Sequence, residues 1–297
     1  MIDYRTPRLS DRTWAEPLLF ASGNWGCENN FTNIFVWQKT YGQSIARWKD
    51  FVLLRYTQPN AVYHLFPSGL GEPQQAVQAL VEDAAARGER LELIGLTARQ
   101  MDELEQWYPG KFDFSADRDG FDYVYEIERL ATLQGKKLQA KRNHINRFVE
   151  QYPEWQAVEL NADNLKSCVE IERVWQAERE QAPLQEDTAV AVAIENFEAL
   201  GLEGLMIVTR AGPVAFTMGK RMGPALYDVH FEKADGEIQG AYTIVNREFA
   251  RWIQARYPQV RYLNREDDMG LPGLRKAKES YRPDLMIEKY HAVWKEA

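Results

Sequence analysis

Apolar positions along the chain recur with two spacings, and their alternation predicts an ordered succession of helices and strands. Helices are expected over 11–20 and over 30–41, where Phe31, Ile34, Phe35 and Trp37 cluster on one helical face. Two short apolar runs, 51–56 and 61–66, flank Gln58-Pro59-Asn60 and read as an antiparallel hairpin. Helical spacing returns over 73–87, closes at Gly88 and gives way to a strand over 91–95. A short helix over 98–107 and a strand over 123–127 follow. Beyond them come helices over 138–152, 162–179 and 188–200, paired strands over 205–209 and 214–218, and a strand over 226–231. A helix over 241–253, a strand over 261–264, a helix over 273–280 and a strand over 286–293 finish the pattern. Strands mixed with helices that cover them predict an α+β (mixed α/β) layer architecture, and the aromatic strand ending before a basic helix sets the domain boundary at 1–132 and 133–297.

At 297 residues the chain is long enough for two moderate domains, and 45% apolar against 27% charged is the balance of a globular protein rather than a disordered one. No stretch approaches the roughly 20 apolar residues of a bilayer crossing, and Met1 to Arg5 lack the layout of a signal peptide. The expectation is a cytoplasmic protein without integral membrane association. Cys27 and Cys168 are too few for a disulfide framework or a cysteine zinc site, and Cys168, among apolar helical neighbours, reads as packing. A formal charge of −8 requires that any nucleic-acid partner meet a locally concentrated basic surface.

One such concentration exists. Lys136, Lys137, Lys141, Arg142, His144 and Arg147 fall in a window of twelve residues with no acid among them. On a helix, Leu138, Ile145, Val149 and Tyr152 form an apolar arc with Lys137, Lys141 and His144 beside it. Arg142 lies near the apolar arc and is expected to hold a carboxylate or a ligand anion, since an unpaired buried guanidinium is costly. Two readings stand: a solvated basic face, or a site for phosphate or the RNA backbone. In Leu226 to Glu232, strand alternation sends Tyr227, Val229 and Phe231 to one face and Asp228, His230 and Glu232 to the other. If helices cover that polar face, the three groups line a cavity suited to acid/base chemistry; if it faces solvent, they do not. Gly236 and Gly240 precede a helix whose free N–H groups suit an anion. The densest stretch, 262–283, ends a strand in Asn264-Arg265-Glu266-Asp267-Asp268, passes through Gly270-Leu271-Pro272-Gly273 and restarts as a helix bearing Arg275, Lys278 and Tyr281. It reads either as a site beside the basic helix or as salt bridges fastening the last helix. The phosphate-loop, dinucleotide, nucleophile-elbow and zinc-protease motifs are absent, the four histidines have no ligand spacing, and three adjacent acids at 266–268 cannot all point one way, so no metal is expected.

Asp122-Tyr123-Val124-Tyr125, the run from Lys141 to Phe148, Asn246-Arg247-Glu248-Phe249, and the run from Asn264 through Lys278 resemble the phosphatidylglycerol lysyltransferase C-terminal domain family, in a soluble bacterial branch, over nearly the whole chain. The resemblance implies two tandem GNAT-like domains, related to Fem-type transferases that take an aminoacyl group from charged tRNA. It also implies a departure: the lipid-modifying members carry membrane helices, and this chain has none. The acyl-CoA signature of GNAT enzymes is met only in part, with Gly240 as its first glycine but Glu237 and Tyr242 at its other positions. The donor is therefore open between acyl-CoA and aminoacyl-tRNA, the acceptor is an amine or hydroxyl, and the oligomeric state is not predicted. On this reading His230 or Glu232 is the base and Tyr281 the acid, while Lys141, Arg142, Gly240, Asn264, Arg265, Arg275 and Lys278 hold the anionic donor. The rival reading is a non-catalytic protein that keeps the scaffold and binds or senses a small anionic ligand.

Overall fold

The structure, a computed structural model, describes residues 1–177 and 186–295. The chain opens with α1 (Arg12–Ser22), α2 (Phe31–Val36) and α3 (Gln38–Tyr41), then β1 (Gln43–Trp48), β2 (Phe51–Gln58), β3 (Ala61–Leu65) and β4 (Ser68–Gly69). Next come α4 (Pro73–Arg87), β5 (Glu92–Leu96), α5 (Ala98–Trp107), β6 (Phe112–Ala116) and β7 (Asp122–Glu126). The middle holds α6 (Ile127–Thr132), α7 (Gln139–Gln151), β8 (Gln156–Glu159), α8 (Leu165–Ala177), α9 (Glu186–Glu195) and α10 (Phe197–Leu200). After β9 (Glu203–Thr209), β10 (Gly212–Arg221), β11 (Leu226–Ala234) and α11 (Ala241–Arg256), the chain closes with β12 (Tyr262–Asn264), α12 (Pro272–Glu279), β13 (Leu285–Ile287) and β14 (Tyr290–Trp294). Of the helix expected over 162–179, Glu178 and Arg179 lie outside the described residues.

Two compact units emerge, and both are discontinuous in sequence. One takes Met1–Asp122, Asp267–Arg275 and the chain from Met286; the other takes Tyr123–Glu266 and Lys276–Leu285. The division thus differs from a single cut at 132, because strands distant in sequence complete each sheet. In the first unit the described residues form a seven-stranded sheet ordered β1-β2-β3-β5-β14-β6, with β4 on β2. The expected hairpin is present, with Arg55 opposite His64 and Gln58 opposite Ala61. Its outer neighbour β1 was not expected: Lys49 and Asp50 close the turn without glycine or proline, with Lys49 at φ 51°. Phe51, Leu53, Leu80, Leu93, Leu104 and Phe112 meet between this sheet and helices α4 and α5. Each such side chain contributes about 1.5–3 kcal/mol on burial.

The second unit is built on the order β13-β7-β12-β11-β10-β9-β8, antiparallel at its β7-β12, β11-β10, β10-β9 and β9-β8 pairs and parallel between β11 and β12. α11 lies along β9, β10 and β11 and buries Ile244, Val245, Phe249 and Ile253, with Phe249 edge-on to Tyr227. α8 covers β10 and β11 on the face to which Lys233 points, where the Lys233 ammonium sits 3.2 Å from the ring centre of Trp175. β11 is consequently buried along nearly its whole length. The fold is α+β, two mostly antiparallel sheets flanked by helices, as expected.

Candidate functional site

The polar face predicted for β11 is sheltered, but a bulge divides it. In the ladder with β10, Gly219 faces Val229 and Met218 faces Phe231, so His230 is an extra residue and the alternation shifts by one beyond it. Gly219 allows this close approach, since a Cβ there would lie 2.1 Å from the Asp228 carbonyl oxygen. His230 and Asp228 therefore share one environment and Glu232 another, a correction to the expectation that all three line one face. His230 Nδ1 bonds Glu266 Oε1 at 2.9 Å and lies 3.7 Å from Asp228 Oδ2, and its ring is fully buried. These three side chains offer ligand-type atoms within 4.8 Å of one another, an arrangement among the described residues that could hold a metal. In the first unit Cys27, Asp122 and Asp267 do the same, but the Lys289 ammonium already bonds Asp122 at 2.7 Å and supplies the positive charge.

Glu232 turns instead to α11 and the end of β12. Its carboxylate accepts from Asn246 Nδ2 at 2.9 Å and from Arg265 Nη2 at 2.8 Å. The Arg265 guanidinium lies over Tyr281 at 4.9 Å and Tyr125 at 5.7 Å, and its carbonyl accepts from Lys278 Nζ at 2.6 Å. From α7 the Lys141 ammonium reaches the other partner of this stack, 3.8 Å from the ring centre of Tyr281. Burial, and then the Arg265 charge, bring the Lys141 amine down to about 8, with Glu232 opposing. Burial pushes the Tyr281 phenol up to about 12, so it remains a proton donor. Three buried polar atoms in this group make no hydrogen bond: Arg265 Nη1, Asn246 Oδ1 and Thr217 Oγ1, the last on the residue that pairs with Glu232 across the strands. Buried polar atoms are nearly always bonded, so three exceptions around one ion pair call for an explanation.

Of the residues expected to form the site, Glu232, Tyr281, Lys141, Arg265 and Lys278 come together here. Asn264 supports them from behind: its Oδ1 accepts from the Glu266 backbone N–H at 2.7 Å and holds the turn in which Glu266 adopts φ 58°. Arg142 is elsewhere, donating to the carbonyls of Leu133 and Gly135 and so capping the chain that leaves α6 rather than holding an anion. Arg275 belongs to the first unit and is paired with Asp268 and Asp119. Gly240, at φ +92°, is explained by packing: a Cβ would lie 2.5 Å from the His144 carbonyl oxygen and 3.0 Å from Phe148 Cβ on α7. On that helix Ile145 and Phe148 are buried, as is Leu138 just before it, whereas Val149, placed in the apolar arc by the sequence, is exposed, as are Arg147 and the preceding Lys136 and Lys137. Cys168 is buried and its thiol is pushed up to about 12 by desolvation, consistent with packing. Asn246, named only within a family motif, and Thr217 were not among the expected site residues. Asn246 had a signal, a polar residue within a stripe of Tyr242, Val245 and Phe249; Thr217, an ordinary strand residue, had none.

The sequence pattern of the family described as phosphatidylglycerol lysyltransferase, C-terminal, matches residues 21–293. The chain belongs to this family. A conserved protein of unknown function from Bacteroides thetaiotaomicron superposes with a TM-score of 0.93 at 36% identity, over 99% of this chain and 100% of the other. The L-PGS of Bacillus licheniformis shares the fold at a TM-score of 0.65 and 13% identity, over 88% of this chain and 90% of that one. FemX does so at 0.63 and 10%, over 98% and 97%. The family is thus the one the sequence motifs implied, and the fold is shared with FemX. No helix among the described residues is long and apolar enough to cross a membrane.

Proposed function

We propose that this lysyltransferase-family protein is an aminoacyl transferase whose transfer site is the group formed by Lys141, Glu232, Asn246, Arg265 and Tyr281. The observation that carries the reading is the set of unbonded buried atoms on Arg265, Asn246 and Thr217 around the Glu232 ion pair. Glu232 and the Asn246 carbonyl suit the ammonium of an aminoacyl group, and Arg265 Nη1 suits the ester carbonyl as negative charge develops on it. The amine or hydroxyl acceptor attacks that carbonyl and a new C–N or C–O bond forms. Lys141, partly neutral near its lowered pKa of about 8, takes the acceptor proton. The ester C–O bond then breaks, and the departing ribose hydroxyl receives a proton from Tyr281 or from the Lys141 ammonium. In this proposal Lys141 takes the role expected of His230 or Glu232, because His230 is engaged by Glu266 and Glu232 by two donors. Aminoacyl-tRNA is preferred to acyl-CoA as donor, since packing accounts for Gly240 without a pyrophosphate.

The test is incubation with a total aminoacyl-tRNA pool, and separately with acyl-CoAs, following donor loss and product formation over a panel of amine and hydroxyl acceptors. One or a few aminoacyl-tRNAs should be consumed above background, and Lys141→Met should lower turnover about 10²–10⁴-fold. Saturable donor binding with no turnover would instead support the non-catalytic reading.

A further inference from the structure

Asp228, His230 and Glu266 form a second cluster within the second unit, and the transfer reading uses none of them. β11 supplies Asp228 and His230, and the turn after β12 supplies Glu266. The two strands run parallel with Asp228 beside Asn264, so two residues further on the chain carries Glu266 to His230. The Asp228 and His230 side chains are fully enclosed, and that of Glu266 is 17% exposed. Both carboxylates approach one nitrogen, His230 Nδ1, Glu266 at 2.9 Å and Asp228 at 3.7 Å. A protonated Nδ1 has one hydrogen and serves one of them. A divalent cation at the centre meets a lone pair from each of the three and balances both carboxylate charges.

The spacing suits such an ion. Ligands about 2.0–2.2 Å from a metal, set at octahedral or tetrahedral angles, lie roughly 2.8–3.6 Å apart. The edges of 2.9 and 3.7 Å are close to that range, and the third, at most 4.8 Å, shortens as the carboxylates draw in on a cation. We propose that Asp228, His230 and Glu266 bind one divalent transition-metal ion of the zinc or manganese type. The imidazole nitrogen selects against Mg²⁺ and Ca²⁺, which take oxygen ligands. Glu266, the member with solvent access, is the point of entry, and Asn264 holds its turn from outside the ligand set by accepting from the Glu266 N–H at 2.7 Å. Asp267 and Asp268 belong to the first unit. The site thus takes one acid from the run at 266–268 and its other ligands from β11, which is why that run by itself predicted no metal.

The test is titration of the full chain, first stripped with a chelator, with Zn²⁺, Mn²⁺ and Mg²⁺ by calorimetry and thermal shift. One equivalent of Zn²⁺ or Mn²⁺ should bind with a Kd below about 10 μM and raise the Tm, with Mg²⁺ at least about tenfold weaker. Glu266→Gln and Asp228→Asn keep the shape of each side chain and remove its charge. Changes to residues that merely support a ligand cost about 10–100-fold in metal affinity, so each of these should weaken the ion at least about 100-fold. Titration of the native chain with Co²⁺ reads the site without any substitution, and the visible absorption of the bound ion should depart from that of the hydrated one. The proposal is overturned if neither Zn²⁺ nor Mn²⁺ binds up to about 1 mM, if Mg²⁺ binds as tightly, if binding survives both substitutions, or if Co²⁺ keeps the spectrum of the hydrated ion.

Discussion

Lys141 carries a pH signature that can be measured without knowing the substrate. Its pKa falls from an ordinary 10.5 to about 8 because burial and the nearby Arg265 disfavour the ammonium. Between those two values the unfolded chain holds more protons than the folded one, so stability should climb as pH rises from about 8 to about 10.5. Urea midpoints across that window should slope upward in the native protein, and the Lys141→Met variant should lose this increment. Turnover should rise through the same pH of about 8, since the neutral amine is the active form. Arg265 makes the complementary case. It is the charged partner of a nearly buried Glu232, and Arg265→Met strands that carboxylate. The expected cost is about 3–5 kcal/mol in urea unfolding, with much of it recovered when Glu232→Gln is added, because the second change removes the stranded charge.

At the level of elements, the approach of α7 to the start of α11 depends on a glycine. Gly240→Ala combines a left-handed φ of +92° with a Cβ placed 2.5 Å from a backbone oxygen that cannot swing away. A loss of about 1–3 kcal/mol is expected, read as a fall in Tm, and since Lys141 rides on α7 the transfer rate should fall with it. How far such features are legible in sequence varies with the range of the interaction that sets them. α4 and α11 are readable because their apolar spacing is local, and the β2–β3 hairpin because Pro59-Asn60 punctuates it. β1, β6 and β8 follow Gly42, Pro109-Gly110 and Pro153 but hold few apolar residues, interrupted by polar ones, and the expected helix over 30–41 bends at Trp37, where ψ is 2°. The site is legible in its charged members, since Lys141, Glu232, Arg265 and Lys278 stand out by type. It is illegible where a single extra residue at His230 turns Glu232 toward α11, because a bulge is set by the partner strand and leaves no mark in the alternation it interrupts.

Each sheet takes in a strand from the end of the chain, and this decides what a fragment can do. β14 lies between β5 and β6 in the first sheet, pairing Ala292 with Leu93 on one side and with Phe114 on the other. A fragment of residues 1–132 lacks it, so β6 loses its ladder and Leu93, Leu104 and Phe112 lose the cover of Ala292. The same cut removes Lys289, whose ammonium bonds Asp122 at 2.7 Å and Glu28 at 2.5 Å in a buried pocket. Desolvation pushes the Glu28 carboxyl up to about 7 even with that cation beside it; without it, buried Asp122 and half-buried Glu28 face each other uncompensated. The complementary fragment, 133–297, lacks β7 and leaves Leu263 and Asn264 of β12 without Tyr125 and Val124 opposite them. Neither fragment should give a cooperative thermal transition by circular dichroism alone, whereas the full chain should. A sharp transition in the 1–132 fragment alone would mean that the sheet closes without β14, and that the chain's return at Asp267 and Met286 is a matter of connectivity rather than of stability.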